Sequence, residues 1–279
     1  MPKGLSLHIG LNHVDPSHYD GWDGALAGCI PDAEAMTSLA KKQKFKPTRL
    51  LNEQATASAV MGAISEAAQK LKVGDIFFLT YAGHGSQVPD KNGDEKDDYD
   101  ETWVLYDRQL VDDELYSLWS QFAPGVRILV VSDSCHSGTM TRAILYQQLN
   151  NSPLAHGTLA DPTRGTRAMP EDARKRTYKK NKALYDGIQQ AFRSGDKVNV
   201  SASVLLISGC QDNQLSSDGD KNGLFTQTML QVWNKGQFKG RYRKFYQEIA
   251  QRMPPWQSPN FYRAGLTNPQ FEAQNPFTV

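Results

Sequence analysis

Two short polar clusters give this chain a histidine and a cysteine suited to acyl transfer: Ala82-Gly83-His84-Gly85-Ser86 and Ser132-Asp133-Ser134-Cys135-His136-Ser137-Gly138. A cysteine attacks a carbonyl carbon as the thiolate, and a free thiol is mostly protonated at neutral pH, so the nucleophile needs a base beside it. Cys135 is the candidate nucleophile and His84 the candidate general base. Glycines on both sides of His84 let backbone pass close to a substrate, and the amides of Gly85 and Cys135 are the candidate donors to the developing oxyanion.

Such a pair works only if the fold brings it together. Nearly continuous apolar runs at 5–11, 76–81, 126–131 and 204–207, bounded by Gly, Asp or Ser, predict strands covered on both faces. A shorter run at 102–106 predicts a further strand. Between the runs lie helical patterns. One begins near Pro31 with Ala33, Met36, Leu39 and Ala40 on one face, and another is capped by Thr56 with Val60, Ile64, Ala67 and Leu71 as its stripe. Two more are expected over 224–233 and 242–249, stopped by Gly236 and by Pro254-Pro255. Alternating strands and helices predict an α/β fold with a mainly parallel central sheet flanked by helices, in three layers. The two polar clusters each follow a strand, so both leave the sheet at its carboxyl edge, where ligands collect in open α/β sheets.

The bulk properties exclude several classes. The 279 residues suffice for one large domain, expected to span 1–279 with a polar, basic insertion at about 149–195. A net charge of +1 gives no global attraction to nucleic acid or anionic membrane, and no apolar run is long enough to span a bilayer. Neither is expected as a partner. The amino-terminal residues lack the apolar core of a secretory signal, and Cys29, Cys135 and Cys210 are odd in number and without CxxC pairing. A reducing, cytoplasmic compartment is the expectation.

The segments Tyr81-Ala82-Gly83-His84-Gly85-Ser86-Gln87 and Asp133-Ser134-Cys135-His136-Ser137-Gly138 resemble the histidine and cysteine motifs of metacaspases and their bacterial relatives. The resemblance extends to Gly28-Cys29-Ile30-Pro31-Asp32-Ala33, to the acidic stretch from Asp94 to Glu101, to Asp112-Asp113-Glu114, to 208–214 and to Gly223-Leu224-Phe225-Thr226. The 51 positions from His84 to Cys135 are close to the caspase spacing of about 50. The resemblance implies the caspase-like fold, a monomer, and a cysteine endopeptidase acting on protein or peptide substrates after Arg or Lys. It also implies an acidic S1 pocket at Asp32 and Asp133, with Cys29 beside it. Two carboxylates would complement a basic side chain and repel an acidic one. Two positions depart from the family pattern: Ala82 stands where many relatives have serine, and Arg142 stands where calcium-dependent relatives tend to have an acidic residue.

The chemistry requires no cofactor. Asp98, Asp100, Asp112 and Asp113 offer hard oxygen ligands and are the candidate calcium ligands. A segment opening at Asp218 starts like an EF-hand loop but has Met229 where the bidentate glutamate belongs, so it reads as a polar turn before a helix. Under the peptidase reading the basic insertion becomes a candidate activation loop of a zymogen, with Arg164, Arg167, Arg174, Arg176 and Lys180 as cleavage positions. Competing readings are weaker. A cysteine phosphatase needs five residues between Cys and Arg, whereas six separate Cys135 from Arg142. A non-catalytic caspase-like binding module would not require the intact His84 and Cys135.

Overall fold

The computed structural model describes residues 2–91, 99–134, 165–192, 199–210, 218 and 221–279. Its centre is a six-stranded sheet in the order β2-β1-β3-β7-β8-β9. These strands are β1 (Gly4–Gly10), β2 (Lys46–Leu51), β3 (Ile76–Ala82), β7 (Arg127–Asp133), β8 (Ser203–Ser208) and β9 (Asn260–Gly265). All neighbours are parallel except β9, which runs antiparallel to β8 along the edge. A smaller antiparallel sheet, β4 (Gly85–Pro89), β5 (Tyr99–Val104) and β6 (Gln109–Val111), grows out of the loop after β3. The strand expected at 102–106 is therefore longer, shifted toward its amino end, and belongs to this second sheet.

The apolar runs form parallel strands because both faces are covered. Phe77, Leu79, Ile128 and Val130 point into a core packed by α2 (Ala57–Lys70) and α3 (Asp112–Ser120). Ile76, Phe78, Leu129 and Val131 point into a second core packed by α1 (Cys29–Lys42), α6 (Leu224–Trp233) and α7 (Tyr242–Ala250). Each α2 and α1 side chain expected on an apolar stripe is buried there, and Thr56 caps α2 through its hydroxyl to the Ala59 amide at 3.2 Å. At the start of α1 the flanking Gly28 has no side chain to offer. Asn12, at the end of β1, substitutes for it: its Oδ1 accepts from the amides of Cys29 and Ile30 at 3.0 and 3.1 Å.

The basic insertion contributes two helices to the fold. These helices, α4 (Glu171–Lys180) and α5 (Lys182–Ala191), lie over the second sheet, with Tyr185 buried against Val88 and Val111. The Tyr185 hydroxyl accepts from the Gln109 amide and is hydrogen-bonded to His18 at 2.7 Å. A last short helix, α8 (Pro269–Ala273), closes the chain.

The chain passes from β1 to β2 on one side and from β2 back to β3 on the other side of β1, the strand-order reversal at which open α/β sheets form a crevice above their carboxyl ends. Close contact between β1 and α1 fixes one wall. A Cβ on Gly10 would lie 2.5 Å from the Cys29 carbonyl oxygen and 2.9 Å from the Ala33 Cβ. Gly10→Ala is therefore expected to push α1 off the sheet and cost about 1–3 kcal/mol, read as a lower midpoint in denaturant unfolding.

Candidate active site

The loop after β3 delivers His84. Tyr81, stacked on Trp103 at 4.5 Å, donates its hydroxyl proton to the His84 carbonyl at 2.6 Å, and the Val104 amide donates to the same oxygen at 3.0 Å. Gly83 is glycine because a Cβ there would meet the Tyr81 hydroxyl at 2.5 Å. The imidazole is buried, packed edge-on against Trp22 at 4.8 Å, and its Nε2 donates to the Gly24 carbonyl at 3.1 Å. That bond selects the tautomer with a lone pair on Nδ1, which has no hydrogen-bond partner among the described residues. Burial lowers the His84 pKa to about 4, against the opposing pull of Gly24, so the ring is a neutral base at physiological pH.

Beside it stands an acidic pocket built from four elements. Asp133 is the last residue of β7 and Asp32 lies in the first turn of α1. The start of α6 holds both. Thr226 donates its amide (3.1 Å) and hydroxyl (2.7 Å) to Asp133 Oδ2, while the amide of Gly223 and the side chain of Asn222 donate to Asp32. The third carboxylate is Asp218, which the sequence assigned to a polar turn. Its oxygens accept from the amides of Ala27 and Gly28 at 2.7 and 3.0 Å.

Arg167 fills this pocket. It is 0 % exposed, and its guanidinium meets all three carboxylates: Nη2 with Asp32 at 2.6 Å and Asp218 at 3.0 Å, and Nη1 with Asp133 Oδ2 at 3.0 Å. Nη1 also donates to the Asp133 carbonyl at 3.0 Å. Burial opposes the arginine charge, yet the surrounding carboxylates hold it firmly protonated. Burial pushes the Asp32 pKa up to about 7; Arg167 pulls it down and the neighbouring Asp133 charge adds to the rise. Gly223 must be glycine, since a Cβ would lie 2.6 Å from Nη2 of Arg167 and 2.7 Å from Asp133 Oδ2.

The backbone around Arg167 is equally ordered against the histidine loop. Its carbonyl accepts from the Gly85 amide at 2.9 Å, and the Met169 amide donates to the Gly85 carbonyl at 2.9 Å. On the other side the Asp218 amide donates to the Gly165 carbonyl at 2.7 Å. The segment from Gly165 to Met169 thus crosses the site, with the Arg167 side chain in the pocket and the Arg167 carbonyl on the Gly85 amide, the group expected to bind an oxyanion.

The structure brings His84, Gly85, Asp32 and Asp133 together, with Cys29 buried under the pocket and its thiol pKa raised by that burial. Cys135, His136, Arg142, Asp98 and Arg164 lie outside the described residues. Asp100 sits in β5 and Asp112 and Asp113 at the start of α3, and among the described residues no group of three His, Cys, Asp or Glu could hold a metal ion. Arg174, Arg176 and Lys180 are on helix α4, where Arg174 stacks on Tyr99, Arg176 pairs with Asp20 and Lys180 donates to the Ser17 carbonyl. None of these three enters the pocket. Sequence reasoning missed Gly24 as the histidine's partner and Asp218 as a pocket residue. A carboxylate five residues before the glycine that opens α6 was the one available signal.

Comparison with known proteins gives the family. The family described as "Caspase domain" matches residues 12–275. The chain belongs to this caspase-domain peptidase family. Curated relatives include Metacaspase-1A of Aspergillus fumigatus, 30% identical over 251 residues covering 81% of this chain and 59% of that protein. Metacaspase-1 of Mycosarcoma maydis is 28% identical over 246 residues, covering 80% of this chain and 60% of that protein. The chain therefore spans about three-fifths of the length of these relatives. Among solved structures, a protein of Geobacter sulfurreducens is 50% identical with a TM-score of 0.87, covering 100% of this chain and 99% of that one. Caspase-1 from Spodoptera frugiperda, at 10% identity and a TM-score of 0.54 over 95% of this chain and 86% of that one, shares the fold. No described helix of this caspase domain is long and apolar enough to cross a membrane.

The pocket yields a test of its electrostatics. In a Cys135→Ala background, Arg167→Ala leaves three buried carboxylates facing one another and is expected to cost about 3–5 kcal/mol at neutral pH. Burial already raises the Asp32 pKa to about 7 with the cation present, and without it this carboxyl binds its proton more tightly still than in the unfolded chain, where an aspartate has a pKa of about 4. The folded state then carries the excess protons, so stability rises as pH falls through that window. Denaturant unfolding at pH 7.5 and 5.5 should show the deficit shrinking at the lower pH.

Proposed function

We propose that this protein is a cysteine endopeptidase that cuts after Arg or Lys, with Cys135 as nucleophile and His84 as base, and that the uncut chain occupies its own site. The observation that carries the reading is the seating of Arg167: a basic side chain in the acidic pocket with its carbonyl on the Gly85 amide. A substrate held this way presents the carbonyl after its basic residue to a thiol emerging two residues beyond Asp133.

The chemistry follows from the groups present. Nδ1 of His84 takes the thiol proton, and Sγ of Cys135 bonds to the carbonyl carbon while an electron pair moves onto oxygen. The Gly85 amide stabilises that oxyanion. Collapse breaks the peptide C–N bond, and the leaving amine takes the proton from Nδ1. Water, activated in turn by His84, then hydrolyses the thioester and restores the thiol.

Of the candidate activation sites, the Arg167–Ala168 bond has the pose of a substrate. Arg174, Arg176 and Lys180 lie in a helix, where the backbone is not extended for attack. Cutting after Arg167 frees the pocket for other chains, which makes the intact form a zymogen.

Fluorogenic peptides ending in Arg, Lys or Asp test the reading. Cleavage after Arg and Lys, none after Asp, and loss of at least about a thousandfold in kcat in Cys135→Ala are the expected results. Intact-mass analysis should show fragments ending at Arg167, absent in Cys135→Ala and in Arg167→Gln. Full activity from an uncut chain would overturn the zymogen reading.

A further inference from the structure

Resting on that peptidase reading, we propose that Asp218 is a third specificity carboxylate, and that it makes the pocket prefer arginine to lysine at the position before the cut. Asp218 touches the occupant twice. Its amide donates to the carbonyl of Gly165, two residues ahead of Arg167, at 2.7 Å. Its Oδ1 accepts from the guanidinium at both Nε, 3.3 Å, and Nη2, 3.0 Å. One residue therefore grips both the main chain and the basic side chain of whatever lies in the site.

The three carboxylates divide the guanidinium between them. Asp133 takes Nη1, Asp32 takes Nη2, and Asp218 takes the edge formed by Nε and Nη2. That distribution follows the planar donor fork of arginine. A lysine ammonium ends where the guanidinium carbon sits, one bond short of both Nη atoms, and has no Nε–H. It is attracted by the charge but cannot make the same set of hydrogen bonds. The carboxylate edge on Nε is the part of the arrangement that recognises a guanidinium and nothing shorter.

Asp218 is also preorganised. Its side chain is 6% exposed, and its oxygens are fixed by the amides of Ala27 and Gly28, so it is aimed before a substrate arrives. Because those two bonds also steady the loop ahead of α1, a loss of activity on substitution would not by itself establish specificity. The ratio of arginine to lysine cleavage would, since a purely structural role lowers both together.

The experiment measures kcat/KM on peptides matched except for Arg or Lys before the cut, for the wild type, Asp218→Ala and Asp218→Asn. The wild type should favour Arg, and Asp218→Ala should lower Arg cleavage about ten- to hundredfold while lowering Lys cleavage far less. Asp218→Asn keeps an oxygen for the Ala27 and Gly28 amides and should fall between. Competitive inhibition by agmatine and by cadaverine, a guanidine and an amine, gives a second readout in Asp218→Asn, with agmatine losing the larger factor. An equal fall for both peptides, or a wild type indifferent to Arg and Lys, overturns the assignment of Asp218. A wild type that cuts neither peptide, even after cleavage of the 165–169 segment, overturns the peptidase reading itself.

Discussion

The buried guanidinium of Arg167 organises everything at the carboxyl edge of this sheet. Asp32, Asp133 and Asp218 come from α1, β7 and the polar stretch before α6, and their like charges could not be buried so close together without a cation between them. The cluster ties distant parts of the chain to one point, and it does so with an arginine supplied by the insertion. A charge arrangement that demands a cation is also one suited to a basic side chain, so under the proposed peptidase reading the contacts that hold Arg167 are the ones a substrate arginine would make.

The fold makes such a cluster affordable in strain. A parallel sheet covered on both faces is rigid, and its strand ends project side chains at fixed spacing. Tyr81, one residue before the end of β3, and Asp133, the last residue of β7, lie at the carboxyl ends of adjacent strands whose register is locked by backbone pairing. Each then turns its neighbour into position: the Tyr81 hydroxyl holds the histidine loop, and the Asp133 carboxylate is gripped by Thr226. Variation in the loops can proceed without moving these anchors.

Much of this was visible in the residues themselves. The four long strands could be read because burial on both faces leaves an almost uninterrupted apolar run, whereas β5 was misplaced because its inward positions include Asp100 and Thr102, which are buried but polar. The histidine loop and the paired aspartates Asp32 and Asp133 were recognisable from motif and charge. Asp218 was not, because a carboxylate among glycines and an asparagine looks like a solvated turn until the chain is folded against Ala27 and Gly28. Arg167 was read as one basic residue of several. What distinguishes it is a fivefold set of contacts from segments up to 135 positions away, which no local pattern encodes.

Gly223 adds a dimension that charge does not cover. Its missing methyl group leaves the space in which the tip of the guanidinium rests, so the depth of the pocket is set by a hydrogen atom on the backbone at the mouth of α6. Relatives could therefore diverge along two independent axes. Exchange of one carboxylate lowers the negative charge around the Arg167 guanidinium, while a single carbon at Gly223 takes the space its tip occupies and shortens the pocket with no change in its charge.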